Sequence, residues 1–366
     1  MYESVLVFVS FLVSSFLLAA ALTGNKQAAV TTPLRVIKIT GTLAVLFLVV
    51  FFLSIHTGPA KISTISILKR LFHEWSGHPA GSRGAEEVIL FSIRFPRIIF
   101  AGLVGGSLSV AGVVFQALLR NPLADPYILG ISGGSAVGAI IGIVMGAGAS
   151  FLGISGLAFT GALLTILLLF GIAFTKRELQ PNTLILSGVI VNTFFTAIIM
   201  LLISTSSNTQ LHSIFFWLMG DLSLAEMNDI LFVGLFLVIG FLLIYSHARS
   251  LNLIVLGEET ALQLGVPVEK TKILLLIAAS FITAVTVSIS GTIGFVGLII
   301  PHIMRMLVGS DHRVLLPSSL LLGGSFLIAA DAIARSSFAH YELPVGVVTA
   351  ICGAPFFIYL LRKKAV

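Results

Sequence analysis

Charge is what this sequence has least of. Of its 366 residues only 10% are Asp, Glu, Lys or Arg, while 57% are hydrophobic, and the mean hydropathy is +1.10. A water-soluble domain carries about 25% charged residues, so too few polar side chains exist here to cover a water-facing surface. Most of the exterior must face lipid. Cysteine is nearly absent: the single Cys352 sits in an apolar stretch and excludes both a disulfide framework and a thiolate metal cage. The phosphate-cradling pattern G-x4-G-K-S/T is missing, so the chain cannot itself hydrolyse ATP. The 21 basic residues exceed the 15 acidic ones, but they lie in short clusters between apolar segments. They report membrane topology, and no nucleic-acid partner is expected.

Long continuous apolar runs are present, at about 4–22, 39–55, 95–118, 131–149, 151–174, 183–204, 230–246, 273–290, 293–308, 314–334 and 344–361. A hydrocarbon core of roughly 30 Å takes about 20 such residues per helix. The runs are continuous instead of alternating, which favours helices over a barrel. The expected class is therefore an all-α polytopic membrane protein. The near-contiguous runs 131–149 and 151–174 predict a tight hairpin, and Gly291, Gly294, Gly297 and Pro301 divide 273–308 into two helices. Gly134, Gly138, Gly142 and Gly146 recur every fourth residue, a stripe that lets a neighbouring backbone approach closely or, alternatively, smooths a pore. With Met1 outside, fourteen Lys and Arg fall on one face and seven on the other, which makes the first face cytoplasmic. Segment 4–22 carries Glu3 ahead of it and its positive charges behind it, the reverse of a secretory leader, so it reads as a retained helix.

"VFQALLRNPLADPYILG" closes the third run. Pro122 and Pro126 exclude helical geometry from the residues before them. Arg120 suits a helix C-terminus, and Asn121 and Asp125 can bond freed backbone groups. A rigid helix–helix corner results.

The string Ile93–Gly134, "IRFPRIIFAGLVGGSLSVAGVVFQALLRNPLADPYILGISGG", resembles the signature of the FecCD family, permease subunits of ABC importers for iron chelates, haem and cobalamin. Further matches are "LILSGVIVN", "FWLMGDLS", "LGEETALQLGV", "GTIGFVGLIIPHIMRMLVGSDHRVLLP" and "ADAIARSSFAHYELPVGVVTAICGAPFFIYLL". The resemblance implies a permease domain over 36–364 with ten core helices of the cobalamin-importer type. Residues 1–25 add one N-terminal helix that it does not explain. It also implies two copies of a separate ABC ATPase, a periplasmic or lipoprotein substrate-binding protein, a second permease chain (most simply a homodimer), a cell (inner) membrane location, and no cofactor or metal.

Three arginines on the outer face stand against the topology trend. Arg94 and Arg97 flank Pro96 at the start of a helix, where a cation opposes the macrodipole, and Arg335 follows Asp331 at the end of another. Something acidic must compensate. Internal carboxylates such as Asp331 or Glu342 are one source; the resemblance implies another, carboxylates of a docked binding protein, which a guanidinium fork accepts bidentately. Asp331 and Arg335, four apart, are expected to meet on one helix turn. On the inner face, "LGEETALQLGVPVEK" places Glu258, Glu259 and Gln263 on one side of a short helix bounded by Gly257 and Gly265. Ala261, Leu262 and Leu264 offer apolar contacts. The segment suits either a helix lying at the headgroups or, as the resemblance implies, a coupling helix docked in a groove of the ATPase.

Two rival classes are weaker. An ion-coupled secondary transporter places carboxylates within the membrane, whereas here every Asp and Glu falls near a predicted helix end or in a loop. An intramembrane enzyme needs a buried nucleophile–base or paired-aspartate set, and none stands at suitable spacing. His302 and His312 lack compact metal-ligand spacing.

Overall fold

The computed structural model describes residues 32–58, 88–127, 129–147, 153–175, 178–223, 225–337 and 342–364. Segment 4–22, with the additional helix expected within 1–25, lies outside the described residues, as does most of the loop 56–93.

Thirteen α-helices follow one another among the described residues: α1 (Pro33–His56), α2 (Phe95–Leu118), α3 (Ile131–Val144), α4 (Ile154–Ala173), α5 (Pro181–Thr205), α6 (Asn208–Leu218), α7 (Met227–Ser246), α8 (Ala248–Leu256), α9 (Glu258–Gln263), α10 (Val268–Ser290), α11 (Val296–Val308), α12 (His312–Ser336) and α13 (Val345–Lys364). A π-helical turn, Ile89–Arg94, leads into α2. The exception to an all-α fold is a two-residue antiparallel ladder after α4, with Phe174 opposite Leu179.

Seven elements are long and apolar enough to cross a membrane: α1, α2 with its leading turn, α4, α5, α7, α10 and α12. Helices α3 and α11 and the Val345–Ile358 part of α13 are apolar but shorter. Together they match the ten runs from 39–55 onward. Local chemistry sets their starts. Pro33 and Pro181 occupy first-turn positions, where the missing N–H costs nothing. Ser207 with Gln210 forms a capping box at α6, as Glu226 does with Asp229 at α7.

Helix α2 is the axis of the bundle, and nearly all of its residues are buried. It packs against α12, α10, α11 and α7, while α1 packs on α12. In lipid, helices associate through close packing more than through apolar burial, and here glycine makes the approach possible. A Cβ on Gly105 would overlap the Gly323 carbonyl oxygen of α12, and one on Gly112 would overlap the Gly297 carbonyl of α11.

The α3–α4 hairpin forms as its sequence predicts. Gly134 and Gly138 face the backbone of α4 so closely that a Cβ at either would collide with it, and Gly142 is also buried there. The stripe therefore serves packing and does not line a pore. Gly146 departs from the stripe: nothing lies within 4 Å of its missing Cβ, and its φ is +68°. Its N–H bonds Ile143 O at 3.1 Å and Ala147 N–H bonds Gly142 O at 2.9 Å. Those two bonds close the end of α3, and the left-handed backbone they require suits glycine.

The run 273–308 breaks where its glycines stand. Helix α10 stops before Gly291 (φ +67°), and α11 starts after Phe295, itself left-handed at φ +70°. Helix α11 begins opposite Leu108 and Gly112, in the C-terminal half of α2. Gln116 donates to Leu298 O at 3.0 Å and accepts from Arg305 at 3.0 Å, so it satisfies backbone freed by the break.

Candidate functional site

Where α2 starts and α12 ends the three arginines come together, and each is 4% exposed. Arg97 donates from Nε to Asp331 Oδ1 at 2.9 Å and from Nη1 to Glu342 Oε2 at 2.6 Å. Arg335 donates from Nε to Asp331 Oδ2 at 2.9 Å and from Nη2 to Ser54 Oγ at 2.8 Å. The 331–335 spacing thus makes the predicted i,i+4 contact. Arg94 donates to Ile55 O at 2.9 Å, at the end of α1. Asp331 is fully buried and shared by two guanidiniums. Of the two compensating sources weighed from sequence, this structure displays the internal one. Its outermost member is Glu342, whose side chain is 49% exposed.

At its other end α2 stops at Leu118, and Arg120 adopts φ +48°, a left-handed position usually given to glycine. The corner then forms as its residues predict. Asn121 Oδ1 accepts from Leu123 N–H at 2.9 Å and Asp125 Oδ1 from Tyr127 N–H at 3.2 Å. Pro122 is exposed, whereas Asp125 and Pro126 are buried against the start of α11 at Gly297. Burial pushes the Asp125 carboxyl up to about 6, partly offset by its bond from Tyr127 N–H.

Arg120 reaches out of the corner to Glu258 at 3.2 Å and to the Ile254 carbonyl at 3.5 Å. Glu258 also accepts from Lys272 Nζ at 3.1 Å, which donates in turn to Glu269 at 2.8 Å. Glu258 therefore turns inward, away from the Glu259 side that sequence grouping gave it. Ala261 is buried too, so it offers no contact to a partner. Leu256 (77% exposed), Leu262 (57%) and Leu264 (63%) are what the segment presents, with Glu259 and Gln263 also exposed. Gly257 (φ +155°) separates α8 from α9, and Gly265 (φ +83°) ends α9.

Sequence reasoning missed a second attachment of this segment. Asn252 of α8 donates to Asp311 Oδ1 at 2.8 Å, and its own Oδ1 accepts from His312 N–H at 2.9 Å and lies 2.7 Å from His312 Nδ1. Asp311 caps α12 and pairs with Arg313 at 2.6 Å. His312 is thus part of a helix-start clamp.

The FecCD transport family matches residues 46–363. The chain belongs to the FecCD transport family. It is 45% identical over 280 residues to the cobalamin import system permease protein BtuC of Halobacterium salinarum, covering 76% of this chain and 75% of that one. It is 40% identical over 320 residues to the uncharacterised ABC transporter permease protein YvrB of Bacillus subtilis, covering 85% and 90%. Among solved structures, an inward-facing metal-chelate type ABC transporter superposes with TM-score 0.76 at 32% identity, covering 90% of this chain and 99% of that one. This FecCD chain is a multi-pass permease of the ABC importer type, and the secondary-transporter alternative is not favoured.

Proposed function

We propose that this permease forms the translocation path for cobalamin or an iron chelate such as a siderophore or haem in the cell (inner) membrane. Two copies pair, a binding protein delivers substrate at the outer face, and two copies of a separate ATPase drive the cycle from the inner face. The chain itself performs no catalysis. The names of its relatives support the substrate class. The observation that carries the two-sided arrangement is the exposed apolar lip of Leu256, Leu262 and Leu264 around α9. It lies on the face where lysine and arginine accumulate, beside an exposed Glu259. Such a lip suits a groove on a partner.

The outer arginine cluster is the docking site in this reading. Because Arg97 already holds Glu342, a binding-protein carboxylate must displace that half-exposed side chain, while the buried Asp331 stays. The cluster is then a preformed carboxylate receptor with an internal occupant. Glu342→Gln tests this. The variant should bind the cognate binding protein several-fold more tightly at low salt, with the difference shrinking as salt rises. Affinity that is unchanged or weaker rejects the assignment. The ligand that copurifies with the binding protein identifies the cargo.

A further inference from the structure

Two side chains, Glu258 and Asn252, tie the α8–α9 segment to the rest of the bundle, and the ties fall on particular helices. Glu258, the first residue of α9, bridges Arg120 at the foot of α2 and Lys272 near the start of α10. Asn252, in α8, spans Asp311 and His312 at the foot of α12. Helices α2 and α12 are the pair welded backbone to backbone at Gly105 and Gly323. Their far ends, ~36 Å away for a 24-residue helix, carry Arg97 and the Asp331–Arg335 pair. The segment that meets the inner partner is thus fastened to the two helices that hold the outer cluster.

The fastening at Arg120 is held against local preference. A non-glycine residue at φ +48° is strained, and glycine would take that conformation freely. As a contribution to stability the Arg120–Glu258 pair is poor, since its side chains are 52% and 34% exposed and such pairs contribute little. The place of this pair, at the joint between the foot of α2 and the start of α9, and not its energy, is what points to a mechanical use.

We propose that Glu258 and Asn252 are positioning residues that lock α8–α9 to the α2–α12 pair as one body, so that displacement of α9 by the ATPase is carried to the outer arginine cluster. Two consequences follow. Substrate movement is tied to ATP turnover through these two side chains, and binding-protein docking is sensed by the ATPase along the same rod. The inference rests on α9 being the ATPase-docking helix.

The test uses the assembled transporter in proteoliposomes, with its ATPase and binding protein. Arg120→Gly relieves backbone strain while cutting the tie, so it should melt no lower than the parent. Glu258→Gln cuts the same tie at its other end, and Asn252→Ala cuts the separate tie to α12. Each variant is expected to retain ATPase association within twofold, yet to lose at least fivefold in substrate moved per ATP and in stimulation of ATP hydrolysis by the binding protein. Arg120→Gly combined with Glu258→Gln should be no worse than Glu258→Gln alone, since that change already removes the Arg120 link along with the one to Lys272. Leu262→Glu is the control for the underlying reading. If it leaves ATPase association intact, α9 is not the docking helix and the premise fails. If Leu262→Glu abolishes association while Arg120→Gly and Glu258→Gln keep the parent's transport per ATP, the docking reading stands and the mechanical one is overturned.

Discussion

Replacing Asp331 with asparagine removes the carboxylate that Arg97 and Arg335 share in a fully buried position. The two guanidiniums are not left equal. Arg97 keeps Glu342 at 2.6 Å, whereas Arg335 keeps only Ser54 and the Thr57 carbonyl, both neutral. Stripping one partner from a buried ion pair costs about 3–5 kcal/mol. With Arg97 still compensated, Asp331→Asn should sit at the low end, about 3 kcal/mol, or a factor of roughly 150 in the folding equilibrium. The double variant Asp331→Asn with Arg335→Met removes the stranded charge and should recover most of that loss, because no buried guanidinium is then left without a carboxylate and the new amide oxygen can still accept from Arg97 Nε. Denaturant titration in detergent reads both values from the midpoint shift at constant slope. A single-variant loss below about 1 kcal/mol, or a double variant no better than the single, would refute the claim that Asp331 is the buried counter-ion of Arg335.

Other consequences are smaller in scope. Gly112→Ala forces a Cβ into the Gly297 carbonyl and should cost about 2 kcal/mol by overpacking, while Gly171→Ala, with nothing within 4 Å, should be near neutral in the same titration. Asp125 has a folded pKa of about 6 against an ordinary 3.8. The folded state therefore favours its proton, and the stability it supplies is whole below pH 4 and lost as pH rises through 6. Asp125→Asn, neutral throughout, should gain on the parent by about 3 kcal/mol between pH 4 and 8; a pH-independent difference contradicts burial as the cause.

Much of this arrangement was legible in the residues. The ten apolar runs, the α3–α4 hairpin and the break at Gly291 are written in long apolar stretches and in glycine and proline, whose backbone effects are local. The Asp331–Arg335 contact follows from helical spacing, and Glu342 was among the internal acids weighed for the arginines. What stayed hidden depends on tertiary placement. Glu258 and Glu259 are adjacent and chemically alike, yet only the fold brings Arg120 and Lys272 to the first and solvent to the second. Asn252 meets Asp311 and His312 across about sixty residues, and a lone amide leaves no periodic trace. Ala261 is buried because α9 turns that face to the bundle, which its six residues are too few to announce. Gly146 looked like a packing residue because its spacing continued the stripe, although its work is to end the helix.

The most direct measurement is uptake into proteoliposomes containing the permease alone, the permease with its ATPase, and the permease with ATPase and loaded binding protein. The account predicts substrate accumulation only in the third preparation, dependent on ATP and undiminished by an uncoupler. Accumulation by the permease alone, or its collapse when the ion gradient is dissipated, would contradict it.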